Sequence, residues 1–273
     1  MEFIDKKINE ALEKEINAME GITKEDDDFK VDFDKDSVDD IISLVTPTLY
    51  QSQIANKIYW FGYKFNDNID SNTRTQFTKW LKGVAEKKIS DSLLKRLIER
   101  PIGALDSKID FWTIDCTVYP KSQRSDLTRS ILYVTEMYKK DTREYASFEL
   151  IKATPKEVEF DWESFNADFT GTQNQYNQIK NYVNNVMLPK IHSLDYFSIA
   201  EDVKAKYRKY IRGFLRFGNE QQEKTFKALQ GKKILVIDDI NTTQSTLNEI
   251  LKCIKTLNQN DNEIYVFTLL GKE

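Results

Sequence analysis

The chain has 273 residues, of which 40% are hydrophobic and 31% charged, and its formal net charge is -4. This length suits one large domain or a core with a smaller appendage. The acidic balance excludes a global basic field of the kind that attracts nucleic acids, and only a local basic patch is compatible with it. No apolar run approaches the ~18 residues of a membrane span, and no signal-peptide pattern is present. We therefore expect a cytoplasmic protein without membrane contact.

The two cysteines, Cys116 and Cys253, lie in apolar segments. We expect buried thiols there rather than a disulfide or a metal site.

The first third of the chain carries mostly helical patterns. Residues 3–19 predict an amphipathic helix that ends at Gly21. Residues 25–36 are strongly acidic, and an EF-hand loop counted from Asp32 lacks its glycine and its final glutamate. We interpret the acidic stretch as a solvated linker or a partner-facing loop.

Further helical patterns cover residues 38–49 and 77–98, and the second is expected to stop before Pro101. Between them, residues 54–65 are rich in aromatic side chains, which predicts a core strand or hairpin, with base stacking as the alternative. We predict residues 1–105 to be a mostly helical N-terminal extension or hood.

Residues 106–273 predict an α/β core with a helical insertion at about 160–220. Strand patterns lie at residues 111–118, 148–152, 234–237 and 264–270. A helical pattern covers residues 127–138, and others fill the insertion. Strands that alternate with helices imply a parallel sheet whose ligand lies at the carboxyl ends of the strands. The single histidine, His192, has no Cys or His companion and is expected to be structural or exposed.

The most informative stretch is residues 232–247. The apolar run at 234–237 is typical of a strand buried on both faces, and Asp238 and Asp239 follow where that strand should end. A hydroxyl-rich turn comes next, and then apolar residues at helical spacing. A helix N-terminus can receive a phosphate, and adjacent carboxylates can accept hydrogen bonds from sugar hydroxyls. A phosphorylated sugar fits both halves of this pattern.

This stretch resembles the phosphoribosyl-diphosphate (PRPP) signature of type I phosphoribosyltransferases, in which two acidic residues precede a Thr-Thr-Gly-x-Thr loop. The resemblance implies that Asp238 and Asp239 are catalytic and hold the ribose hydroxyls. It assigns the ribose and 5-phosphate contacts of the loop to Thr242, Thr243, Gln244, Ser245 and Thr246. Gln244 departs from the family's glycine, which permits a close approach of the phosphate. The alternative is an ordinary strand-to-helix turn with a Thr or Ser cap.

In the family, an earlier strand-to-helix loop grips the diphosphate, and Lys121 and Ser122 match that place, with Arg124 adding charge. A surface Pro-Lys turn is the alternative there. The family also has a mobile segment before the acid-pair strand that closes over the diphosphate, and Arg212 or Arg216 occupies that position here. Both belong to a row of four cations at every fourth position of a predicted helix: Lys204, Arg208, Arg212 and Arg216. The row is either a solvated face or a surface that binds phosphates, including those of a nucleic acid.

The layout is most similar to the ComF-like branch of the family, which stops near its last strand and carries its extra parts upstream. The resemblance implies an α/β fold with a Rossmann-like parallel sheet of the type I phosphoribosyltransferase kind. It implies PRPP or a related phosphoribosyl nucleotide as ligand, in nucleotide metabolism.

The implied reaction is glycosyl transfer. A nitrogenous acceptor would displace diphosphate, with Mg²⁺ held through the substrate rather than directly by the protein. The alternative is a weakened nucleotide-sugar sensor or effector module that works with a protein or nucleic-acid partner, for example in DNA uptake or phage defence. The acceptor and the oligomeric state cannot be predicted from the sequence.

Overall fold

The computed structural model describes residues 21–25, 28–32, 42–44, 58–86, 88–122, 125–138, 145–240, 245–258 and 261–271. The helix predicted at residues 3–19 lies outside these ranges. Within the described residues, no helix combines the length and apolar character that crossing a bilayer requires.

One seven-stranded sheet organises the chain. Its strands, in spatial order, are β3 (Ile42–Leu44), β4 (Ile58–Phe65), β11 (Glu263–Gly271), β10 (Lys233–Ile240), β5 (Cys116–Pro120), β6 (Ala146–Lys152) and β9 (Leu215–Phe217). The strands from β4 to β6 are parallel to their neighbours, and the two edge strands are antiparallel. This topology confirms the predicted α/β fold with a Rossmann-like parallel sheet.

Two short antiparallel pairs accompany the main sheet. They are β1 (Gly21–Glu25) with β2 (Asp28–Asp32), and β7 (Glu159–Phe160) with β8 (Ile211–Arg212). The helices of the described residues are α1 (Ser71–Leu81), α2 (Asp91–Ile109), α3 (Leu127–Tyr138), α4 (Trp162–Asp168), α5 (Gln173–Tyr182), α6 (Leu188–His192), α7 (Ile199–Asp202), α8 (Glu220–Lys227) and α9 (Ser245–Leu257). A π-helical turn, Val183–Met187, joins α5 to α6, and 3-10 turns occur at Phe111–Thr113, Pro155–Glu157 and Ala205–Tyr210.

Strand β10 is buried on both faces. Leu235 and Ile237 belong to a hydrophobic cluster with α1, α2 and α3. Ile234 and Val236 belong to a second cluster with α9 and the helical insertion. Helices on both sides of a parallel strand remove the usual alternation of apolar and polar residues, which explains the continuous apolar run in the sequence.

Several predicted elements are confirmed. The aromatic run forms β4, the pattern at residues 148–152 lies within β6, and the last strand pattern lies within β11. The helix predicted at residues 127–138 is α3. These segments have local patterns that agree with their final environment.

Glu25 of β1 lies opposite Asp28 of β2, and the role of the acidic stretch as a linker or partner-facing loop stays a prediction. Two expectations for the first third are wrong. Residues 42–44 form β3 where the sequence predicts a helix. Helix α2 continues through Pro101. The proline ring packs on Gly62 of β4, where an added Cβ would lie 2.6 Å from the Pro101 Cβ. Packing at this contact outweighs the backbone hydrogen bond that proline cannot donate.

Part of the predicted N-terminal extension belongs to the main sheet. Strand β4 pairs with β11 in parallel register, from Ile58 opposite Tyr265 to Lys64 opposite Gly271. Strand β3 then extends the sheet beyond β4. The boundary near residue 105 stays a prediction, but the residues before it contribute strands to the core.

The helix that the sequence predicts across the row of four cations, residues 204–216, does not form. Ala205–Tyr210 forms a 3-10 helix, Arg212 lies in β8 and Arg216 lies in β9. Gly213 adopts a φ of 72°, a left-handed conformation that interrupts regular structure. The four cations therefore do not share one helix face. The expected strand over residues 111–118 is likewise shorter, because β5 begins at Cys116.

Candidate functional site

The candidate site lies at the carboxyl ends of β5 and β10, which are adjacent and parallel. From β5 the chain continues through α3 to β6 on one side, and from β10 it continues through α9 to β11 on the other. Where crossovers diverge in this way, a crevice opens outside the carboxyl ends of the strands, and ligands of open α/β sheets bind there.

The acid pair lies inside β10 rather than after it, because the strand continues to Ile240. Asp238 is 5% exposed and Asp239 is 7% exposed. Successive strand residues alternate between faces, so Asp239 lies on the face of the α1–α3 cluster and Asp238 on the face of α9. The expectation that the pair begins where the strand ends is wrong, and the two carboxylates lie on opposite faces of the sheet edge.

Backbone N–H groups hold both carboxylates in place. The N–H of Asp239 donates to Asp238 Oδ1 at 2.9 Å, and the N–H of Ile240 donates to Asp239 Oδ1 at 2.6 Å. Thr268 of β11 lies beside Asp238 in register, and its hydroxyl is 3.3 Å from the Tyr59 hydroxyl. Polar groups from three neighbouring strands thus gather on the α9 face of this edge.

Lys82 supplies a cation that the sequence analysis missed. Its Nζ lies 2.7 Å from Asp239 Oδ2. Lys82 is the C-cap of α1: its N–H donates to the Thr78 carbonyl, and the N–H of Gly83 donates to the Trp80 carbonyl. Gly83 has a φ of 67°, the left-handed conformation that ends many helices. A Lys-Gly pair after a helical stripe signals a helix end, but nothing in the sequence connects it to a distant strand.

The two carboxyl groups of the acid pair have different electrostatic environments. Burial raises the pKa of Asp238, the neighbouring Asp239 carboxylate raises it further, and the Lys82 ammonium partly opposes both effects. The carboxylate that forms the salt bridge with Lys82 is that of Asp239. Asp238 therefore binds a proton at higher pH than an ordinary aspartate, and the pair can present one salt-bridged carboxylate and one neutral carboxyl group.

The base of the predicted diphosphate loop lies at the same crevice, directly after β5. The Lys121 Nζ is exposed and lies 3.2 Å from Glu149 Oε2 of β6. The N–H of Lys121 donates to the Leu150 carbonyl at 2.7 Å. Ser122 Oγ accepts from the N–H of Ser125 at 3.2 Å. The structure thus brings Lys121 and Ser122 to the edge that also carries the acid pair.

Other predicted contacts fall partly outside the described residues. These are Arg124 of the diphosphate loop and Thr242, Thr243 and Gln244 of the phosphate loop. Ser245 and Thr246 begin α9, and the Ser245 side chain is buried. Only residues 241–244 separate the end of β10 from α9, so the N-terminus of α9 lies near the acid pair.

Arg212 and Arg216 are not brought to the acid pair. Arg212 Nε lies 3.2 Å from Asp161 Oδ2, and only 12% of its side chain is exposed. Arg216 is in β9, three strands from β10 in the sheet order, which is about 14 Å at ~4.8 Å per strand. The N–H of Phe214 donates to Glu249 Oε1 at 3.1 Å, so this segment is fixed to α9.

Among the described residues, no group of three or more His, Cys, Asp or Glu side chains is placed to hold a metal ion. His192 Nε2 lies 2.8 Å from the Val158 carbonyl oxygen, a structural contact. The acid pair alone offers two carboxylates, one of them in a salt bridge, which suits contact with sugar hydroxyls better than a direct Mg²⁺ site.

No protein-family model matches the chain, and no curated protein matches it. Among solved structures, the chain is similar to a hypoxanthine phosphoribosyltransferase from Staphylococcus aureus, with 11% sequence identity and a TM-score of 0.33. The match covers 65% of this chain and 65% of that chain, which is less than two thirds of either. At this identity and TM-score, the likeness does not bear on activity or substrate.

Proposed function

We propose that the crevice outside β5 and β10 binds PRPP or a related phosphoribosyl nucleotide. The observation that carries this proposal is the placement of a buried acid pair on the central strand β10, at the point where the crossovers diverge and immediately before α9. Asp238 and Asp239 would hold the ribose hydroxyls. Residues 241–246, which include the N-terminus of α9, would receive the 5-phosphate.

The proposed reaction is transfer of the phosphoribosyl group. A nitrogenous acceptor forms a bond to the anomeric carbon while the bond from that carbon to the diphosphate oxygen breaks, and the bonding electrons leave with the diphosphate. The acceptor nitrogen gives its proton to solvent. Mg²⁺ held through the diphosphate, rather than by protein ligands, would supply positive charge that stabilises the leaving group. Lys121, which is exposed, would turn from Glu149 to the same group, and the Asp239 carboxylate would favour the positive charge that develops on the sugar ring.

Calorimetric titration with PRPP and Mg²⁺ tests the binding site. We expect saturable binding by the wild-type protein and none by Asp238→Asn/Asp239→Asn. Asp261→Asn is a suitable control, because Asp261 is exposed and lies just before the amino end of β11, at the opposite edge of the sheet. Equal PRPP affinity for the wild type and the double variant would contradict the proposal.

A second candidate is a nucleotide-sugar sensor or effector module that binds without turnover and signals to a protein or nucleic-acid partner. The near-complete burial of both carboxyl groups and the salt bridge to Asp239 favour this role, since they restrict the movement of the side chains that would hold the ribose. Measuring diphosphate release with a panel of nitrogenous acceptors separates the two. An enzyme releases diphosphate in the presence of one acceptor, whereas a sensor binds PRPP and releases none.

A further inference from the structure

We infer that Lys82 makes the acid-pair site selective for phosphorylated ligands, by offsetting the charge of Asp239 and by presenting an ammonium group to ligand phosphate. This inference rests on the proposed function and deepens it. It gives the N-terminal part of the chain, which the motif does not cover, a role in ligand recognition. Its basis is the 2.7 Å contact between Lys82 Nζ and Asp239 Oδ2.

The position of Lys82 is set by a well-anchored helix. Helix α1 starts at the Asp70 cap, whose carboxylate accepts from the N–H of Asn72 at 2.8 Å and of Thr73 at 3.0 Å. It packs through Phe77, Trp80 and Leu81, which are at most 3% exposed. The N–H of Lys82 still donates to the Thr78 carbonyl at 3.1 Å. The ammonium group is therefore carried to the sheet edge by a fixed backbone rather than by a surface loop.

The charge of the site explains why this cation is needed. Without Lys82, a ligand phosphate would approach a buried Asp239 carboxylate that lacks its paired cation, and like charges in such a setting repel strongly. With Lys82, the Asp239 carboxylate is paired. The sugar hydroxyls can still use Asp239, since a carboxylate has about four lone-pair positions and the described contacts from Ile240 and Lys82 engage two of them.

Lys82 also has capacity for a ligand. An ammonium group has three donors, and Asp239 takes one of them. The side chain is 30% exposed, whereas that of Asp239 is 9% exposed, so the lysine lies on the solvent side of the pair. A ligand that enters from solvent meets the ammonium group before the carboxylate. A phosphate-bearing ribose gains from this arrangement, and a neutral ribose or nucleoside gains less.

Calorimetric titration of PRPP with Mg²⁺ into three variants tests the inference. Lys82→Gln removes the charge but keeps a donor for Asp239, Lys82→Arg keeps the charge, and Lys79→Gln is the matched control on the exposed side of the same helix. We expect Lys82→Gln to lose about tenfold or more in PRPP affinity, because a close charge pair with the ligand is lost. Lys82→Arg should stay within about threefold of the wild type, and Lys79→Gln should match the wild type.

The salt dependence of binding separates ligand contact from a merely structural role. Affinity for PRPP should fall with added salt in the wild type and in Lys82→Arg, and should fall less steeply in Lys82→Gln. Equal affinity and equal salt dependence for wild type and Lys82→Gln would overturn the inference and leave the proposed function intact. Absence of PRPP binding by the wild type itself would overturn both. Thermal melts of each variant confirm that the titrated protein is folded.

Discussion

At the scale of single residues, the buried carboxyl groups stand out, because burial raises the pKa of Asp238 and of Glu249. Besides the acid pair, Glu249 of α9 is 3% exposed. Its Oε1 accepts from the N–H of Phe214, and its Oε2 has no hydrogen-bond partner within the described part of the chain. Burial raises the pKa of Glu249, while the N–H groups of Gly213 and Phe214 and the charges of Arg212 and Lys252 oppose the shift. Glu249 therefore binds a proton at higher pH in the folded protein than an ordinary glutamate does.

Stability should therefore depend on pH through Glu249. A carboxyl group whose pKa is raised on folding contributes stability below its unfolded pKa, and that contribution is lost as the pH rises through the folded value. We expect Glu249→Gln to gain stability relative to the wild type as the pH rises above the ordinary glutamate pKa of about 4.3, over a measured range from about pH 4 to about pH 8. The gain should be about 1.4 kcal/mol for each pH unit by which folding raises the pKa of Glu249.

Urea unfolding at several pH values measures this difference in the free energy of unfolding. Glu86→Gln is the control, because Glu86 is exposed, and its stability should follow the wild type at every pH. A constant difference between Glu249→Gln and wild type across this pH range would show that Glu249 does not titrate there.

At the scale of helices and strands, the end of α1 matters for the proposed site because it positions Lys82 beside Asp239. Gly83 follows the Lys82 cap with a φ of 67°, and an added Cβ would meet nothing within 4 Å. Any effect of a side chain at Gly83 therefore comes from the backbone conformation alone. Gly231 is a suitable control position, because its φ is 59° and an added Cβ there would also meet nothing within 4 Å. It precedes the amino end of β10, away from the acid pair.

Comparing the two glycines tests whether the end of α1 belongs to the site. We expect Gly83→Ala and Gly231→Ala each to lose about 1 kcal/mol of stability, because alanine is strained in the left-handed region. Only Gly83→Ala should also weaken PRPP binding, since a shift of this turn displaces Lys82 from Asp239. Denaturant unfolding and calorimetry on both variants provide the two measurements. Equal PRPP affinity of the two variants would separate the α1 turn from the site.

For the whole molecule, the sequence predicts the core better than its surroundings. The order of strand β10 and helix α9 can be predicted from the sequence, because burial of the strand on both faces leaves a continuous apolar run. The three-residue strand β3 cannot be predicted in this way, since so short a strand forms only through its partner β4. The contact of Pro101 with Gly62 overrides a local helix-stop signal. The salt bridge between Lys82 and Asp239 joins segments that only the folded sheet brings together.

The first third of the chain contributes strands β3 and β4 to the main sheet, so the predicted domain boundary near residue 105 can be tested. Strand β4 covers one edge of β11, and Trp60 packs on Phe267 with ring centroids 5.4 Å apart. A fragment of residues 106–273 would expose this edge and its apolar side chains. We expect such a fragment to aggregate or to lack a cooperative thermal transition, whereas the full chain shows one. A soluble fragment with a sharp transition would instead support a separate C-terminal domain.

The most direct test of the proposed site is a crystal structure of the protein with PRPP and Mg²⁺. We predict density for the ligand outside the carboxyl ends of β5 and β10, with the ribose hydroxyls within hydrogen-bond distance of Asp238 and Asp239 and the 5-phosphate at residues 241–246. Density for PRPP at any other place, or an empty crevice at ligand concentrations that saturate calorimetric binding, would contradict the account.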